Sequence, residues 1–99
     1  MTDQDLRNKL IYKLLRNNVI GGHKKQIQTV TNWFQSSDQG KVKELIEDMA
    51  TDPTAPIEKY GGGHRENIRL TGATEAVQYL DDNGGEIPFG FEDKLDEGD

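Results

Sequence analysis

Ala55-Pro56-Ile57-Glu58-Lys59-Tyr60-Gly61-Gly62-Gly63-His64-Arg65-Glu66-Asn67-Ile68-Arg69-Leu70 is the stretch on which the reading of the fold turns. Residues 55–60 and 65–70 have the length and residue types of two short strands. In the second of them Ile68 and Leu70 alternate with Asn67 and Arg69, the period of two that a half-buried strand requires. Gly61-Gly62-Gly63-His64 between them forms a loop whose glycines enter positive φ at no steric cost, so the pair is expected to close as a hairpin.

The segments that flank this hairpin have a different period. Upstream, Leu6, Leu10, Ile11, Leu14 and Leu15 recur at helical spacing, which predicts a first helix from about Asp3 to Asn17. Gly21-Gly22 breaks the chain before the next element. A second helix is expected from about Lys24 to Phe34, on Ile27, Val30 and Phe34. Ser36 with Gln39 three residues later matches a capping box, and Val42, Leu45, Ile46 and Met49 form the stripe of a third helix that ends near Thr51. Pro53 and Pro56 bar its continuation. Downstream, Thr71 suits the N-cap of a fourth helix built on Ala73, Ala76, Val77 and Leu80, and Asn83-Gly84-Gly85 closes it. Trp33, Phe34 and Tyr79 are assigned to the core. One domain over residues 1–85 and an extended, acidic, partly disordered tail over 86–99 are expected.

Three helices, a Gly-tipped hairpin and a final helix, in that order, form an α+β, mostly helical pattern. From Gly22 to Leu80 it resembles a winged helix-turn-helix domain with a three-helix core, a two-stranded wing and an additional C-terminal helix. Three features carry the resemblance: the polar start Ser37-Asp38-Gln39-Gly40-Lys41 of the third helix, the Gly-rich hairpin with its cations, and the passage Arg69-Leu70-Thr71-Gly72 from strand to helix. Small winged-helix proteins of salt-loving archaea are the nearest resemblance, in keeping with the many Asp and Glu and few Lys.

The resemblance implies sequence-specific binding of double-stranded DNA by a transcriptional regulator. The third helix (about residues 37–51) would enter the major groove and the wing (55–70) would hold the backbone. Gln39 matches adenine, Lys41 and Lys43 match guanine or phosphate, and Ser37 lies at the same helix start. Gly40 would let the helix lie close to the groove wall. Lys24 and Lys25, placed at the start of the second helix, would reinforce a phosphate at its free N–H groups. In the wing Lys59, His64, Arg65 and Arg69 would clasp the backbone. The competing reading of each set is an ordinary solvated surface of mixed charge. Glu44, Glu47 and Asp48 on the third helix favour a second function, a winged-helix adaptor that docks protein and does not touch DNA.

Charge bears on both. The net charge is −6, but residues 1–70 hold 11 Lys and Arg against 9 Asp and Glu, while residues 71–99 hold 1 against 9. The body is therefore weakly basic beside an acidic flank, which is compatible with DNA binding through the body. The absence of cysteine rules out disulfides and thiolate metal sites. His23 and His64 lack a ligand spacing, Ser occurs only at 36 and 37, and no phosphate-binding loop motif is present. No enzyme, cofactor or metal is expected. No apolar run approaches a membrane span, and the N-terminus lacks a signal-peptide pattern, so the expected location is cytoplasmic. A homodimer through the first helix or the segment Ile87-Pro88-Phe89-Gly90-Phe91 is the expected assembly, with back-folding of that segment the alternative.

Overall fold

The structure is a computed structural model that describes residues 2–61 and 66–92. His64, Arg65 and the acidic stretch 93–99, for which the sequence raises expectations, lie outside the described residues.

The first helix, α1 (Asp3–Arg16), starts on a reciprocal cap. The Asp5 N–H donates to the Thr2 hydroxyl at 3.1 Å, and the Thr2 N–H donates to the Asp5 carboxylate at 3.0 Å. The Thr2 N–H first, and then the Thr2 hydroxyl, hold the Asp5 carboxyl below its ordinary value of 3.8. At the other end Asn18 takes φ 58°, and the Val19 N–H reaches back to the Leu14 carbonyl at 2.9 Å. This is a Schellman end with Asn in the left-handed position. Leu6, Leu10, Ile11, Leu14 and Leu15 are all buried. The whole stripe is taken up by the chain's own core, so these side chains are not available to a second copy.

The second helical segment differs from expectation. Lys25 and Gln26 form a strand, β1 (Lys25–Gln26), and α2 (Ile27–Thr31) is only five residues long. The apolar spacing of Ile27 and Val30 is real, but the Ile27 N–H donates to the Glu66 carbonyl at 3.0 Å, so strand pairing runs up to the helix start. Lys24 and Lys25 therefore do not begin a helix, and the anion seat expected at that N-terminus is not formed. Thr31, buried in α2, satisfies its hydroxyl on the Ile27 carbonyl at 2.8 Å.

A four-residue turn leads into α3 (Ser36–Thr51), with Val42, Leu45, Ile46 and Met49 inward as expected. The expected capping box is not formed. Gln35 stands at the N-cap, Ser36 is already helical, and the Gln39 amide donates to the Phe34 carbonyl at 3.1 Å. The strands β2 (Ile57–Tyr60) and β3 (Asn67–Leu70) pair antiparallel with Ile57 opposite Leu70 and Lys59 opposite Ile68. β1 joins on the far side of β3, with Lys25 opposite Ile68, giving the sheet order β1-β3-β2. The hairpin thus gains a third strand that a two-residue polar segment could not announce.

Finally α4 (Ala73–Asp82) is capped by the backbone of Gly72 rather than by the Thr71 side chain. It ends as expected, with Gly84 at φ 70° and the Gly85 N–H on the Leu80 carbonyl at 2.7 Å. A Cβ at Gly85 would stand 2.7 Å from Leu80 Cδ2 and 3.1 Å from Asn8 Cβ, so a larger residue there would have to displace Leu80 and Asn8. One core gathers the inward faces of α1, α3, α4 and the sheet, and Ile87 and Phe91 pack against its edge. Among the described residues the fold is α+β, with four helices and a three-stranded antiparallel sheet, and no helix is long and apolar enough to cross a membrane.

Candidate nucleic-acid interface

Because side chains alternate along a strand, the register divides the expected cations between two faces of the sheet. Lys59 and Lys25 both stand opposite Ile68, on the face that carries the buried Ile57, Ile68 and Leu70. Arg69 and Glu58 stand opposite each other on the other face. The expected set Lys59, His64, Arg65 and Arg69 is therefore not a single clasp: Lys59 and Arg69 point to opposite sides, and His64 and Arg65 lie outside the described residues.

On the inner side Lys59 reaches α3. Its ammonium lies 2.8 Å from the Glu47 carboxylate and 3.7 Å from that of Glu66. The hydrogen bond to Glu47, then the attraction of both carboxylates, raises its pKa above the ordinary 10.5 despite partial burial. Lys43 precedes Glu47 by one helical turn and so lies in the same row, beside the hairpin. It is exposed and makes no ion pair with a described residue. Lys41 sits on the opposite flank of α3, 3.8 Å from Asp3 of α1 and 3.6 Å from Glu44. Ser37 and Gly40 are exposed at the start of the helix, and a Cβ at Gly40 would meet nothing within 4 Å. Gln39 is half-buried, and engaging adenine through both amide atoms would require it to leave Phe34.

The outer face is built as a closed network. Arg69 donates through Nη2 and Nε to one Glu58 oxygen at 2.8 and 3.2 Å, and through Nη1 to the Gly21 carbonyl at 2.8 Å. The Tyr60 hydroxyl donates to the same Glu58 oxygen at 3.2 Å. Arg69 also lies 4.8 Å from the centre of the Tyr60 ring, and the Lys24 ammonium lies 5.8 Å from it. Guanidinium, phenol and carboxylate thus satisfy one another and tie the hairpin to the turn at Gly21. Neither Lys24 nor Arg69 shares a surface with Lys43 and Lys59.

A hollow of about 730 Å³ between α1, α3 and α4 is lined by Asp48, Asp52, Glu75 and Asp82, with Arg7 as its one cation. Its acid repels phosphate, and the expected site residues divide between Lys43 and Lys59 on the α3–hairpin side, Lys24 and Arg69 at Tyr60 on the outer face, and Lys41 beside Asp3. No group of His, Asp and Glu among the described residues is arranged to hold a metal. The chain has no match among protein-family models, curated proteins or solved structures.

Proposed function

We propose that this protein is a winged helix-turn-helix regulator that binds double-stranded DNA with α3 in the major groove. The observation that carries this reading is the order of elements. α2, a four-residue turn and α3 form a helix pair, and the hairpin that follows stands beside the exposed side of α3. Lys43 and Lys59 mark the tract where the two elements meet, and Lys25 shares the sheet face of Lys59. The ion pairs of Lys59 and Lys41 do not oppose the reading, because exposed pairs contribute only about 0–1 kcal/mol and a phosphate displaces a carboxylate at little cost. Arg69 and Lys24 are left out of the contact set, as members of the structural network on the outer face.

A second reading has its own support. Lys41 and Lys59 each face two carboxylates, and the outward row of α3 includes Glu44 and Glu47, as a protein-docking adaptor would present. Fluorescence titration of random-sequence duplex with the pure protein across a KCl series separates the two. A DNA binder loses affinity linearly in log salt, with a slope near −0.9 per phosphate contacted. No binding at low salt by the folded protein would favour the adaptor.

A further inference from the structure

Three cations of α1 fall in one row. Lys9, Lys13 and Arg16 are spaced i, i+4 and i+7, on the side of the helix turned away from its buried leucines. Lys9 and Lys13 are half-buried and bring their ammonium groups to the same ring, 5.7 and 5.5 Å from the centre of Phe34. None of the three makes an ion pair with a described residue, whereas Lys41, Lys59 and Arg69 each hold a carboxylate. Asp5 opens the same row, and Glu86 lies across a hollow that both lysines line. Phe34 is not part of that hollow, and neither carboxylate comes within ion-pair distance of an ammonium group. The Asp5 carboxylate accepts from the Thr2 N–H instead, at 3.0 Å. The face of the Phe34 ring attracts both lysines and so positions two long side chains before any ligand arrives, but it does not neutralise them. Two like charges converge here without an anion between them.

Their place in the fold says which anion. Phe34 immediately precedes Gln35, the N-cap of α3, and its carbonyl accepts from the Gln39 amide at 3.1 Å. The pair of lysines therefore stands at the start of the helix assigned to the major groove. The two flanks of that helix are occupied by different elements. Lys59 of the hairpin reaches Glu47 on one flank, and Asp3 of α1 approaches Lys41 on the other. A helix in the major groove has a phosphate strand on either side of it, and contacts to both fix its register. The hairpin serves one strand. We infer that Lys9 and Lys13, extended by Arg16, hold backbone phosphates of the second strand beside the start of α3. This contact presupposes the duplex binding proposed above and reads no base.

Fluorescence titration of random-sequence duplex with the full-length chain, across a KCl series, tests it. Lys9→Met with Lys13→Met removes both charges and keeps an unbranched stem over Phe34, so circular dichroism and Tm should stay near those of the wild type. The double substitution should make the log–log salt slope shallower by about 2 and weaken binding alike on every sequence. Arg16→Gln, at an exposed position, should make it shallower by about 1, while Lys9→Arg with Lys13→Arg should keep the wild-type slope. A slope unchanged by Lys9→Met with Lys13→Met and by Arg16→Gln, but reduced by Lys43→Ala, would overturn the α1 contact and leave α3 in the groove. A slope reduced by the α1 substitutions and not by Lys43→Ala would support the α1 contact and remove α3 from the groove. A folded wild type that binds no duplex at low salt would overturn both, and its retention by vesicles of phosphatidylcholine and phosphatidylserine would then assign the lysine row to a membrane surface.

Discussion

The two faces of the hairpin carry the same kinds of residue and use them in opposite ways. On the outer face Arg69 and Tyr60 share a single Glu58 carboxylate oxygen, and the Gly21 backbone carbonyl takes a third guanidinium N–H. On the inner face Lys59 leans across to α3, where Lys43 stands without a described carboxylate partner and Lys59 holds Glu47 by a contact that water screens. A guanidinium held by a carboxylate and a backbone carbonyl of its own chain is part of the scaffold. A cation held only by exposed carboxylates is available to a phosphate. Identity and net charge do not distinguish these two cases, whereas strand register does.

The largest effect expected comes from the residue on which both faces pivot. Ile68 is fully buried between Lys25 and Lys59, and Ile68→Ala should cost about 2–5 kcal/mol in chemical denaturation. A loss well below that range would mean the sheet is not anchored there, and the division into faces would fail with it. Next, Arg69→Ala should lower stability by about 1–2 kcal/mol, since it removes two partners of a partly exposed guanidinium, and should leave the salt slope of DNA binding unchanged. A slope that drops would move Arg69 to the contact surface. On the inner face the expectation reverses: Lys43→Ala should reduce that slope by about 1 and alter stability by less than about 0.5 kcal/mol. Glu47→Gln should tighten duplex binding, as it removes an acid from α3 and releases Lys59. Weaker binding by Glu47→Gln would favour the adaptor.

The smallest effects are in pH. Asp52 has its carboxyl held below 3.8, first by the Thr54 N–H and then by its hydroxyl, and Asp5 is lowered in the same manner by Thr2. A folded-state pKa below the unfolded one contributes stability that is present above pH 3.8 and is lost as the pH falls through the lower, folded value. Asp5→Asn and Asp52→Asn should therefore lower the neutral part of a Tm-against-pH curve toward its acid value and so flatten the acid limb. Lys59 acts at the other extreme. Its contribution is complete below pH 10.5 and is lost above it, so Glu47→Gln should flatten the alkaline limb.

Much of the scaffold was legible because it rests on periodicity. The Leu and Ile stripe of α1, the stripe of α3, the alternation through Ile68 and Leu70, and the Asn83-Gly84-Gly85 stop each encode one element locally. β1 was not legible, because Lys25-Gln26 has no pattern of its own and becomes a strand only where β3 offers an edge. The caps went astray for a related reason. Ser36 matches the capping-box pattern but lies one residue inside the helix, while Asp5 stands in for the usual Glu at Thr2. The candidate site was the least legible. Lys41–Asp3 and Lys59–Glu47 join residues far apart in sequence, and whether a lysine is committed or available depends on which elements pack side by side. Gln39 illustrates this, since its amide is engaged by a carbonyl that lies only five residues away but around a turn.

The central claim is that DNA meets α3 and the inner side of the hairpin, and amide chemical-shift mapping tests it residue by residue. On addition of a short duplex at low salt, perturbations should cluster from Ser37 to Glu47 and around Lys59, with Gly21, Lys24 and Arg69 near their free positions. A cluster centred on Lys24, Tyr60 and Arg69, or no perturbation of the folded protein at all, would contradict it.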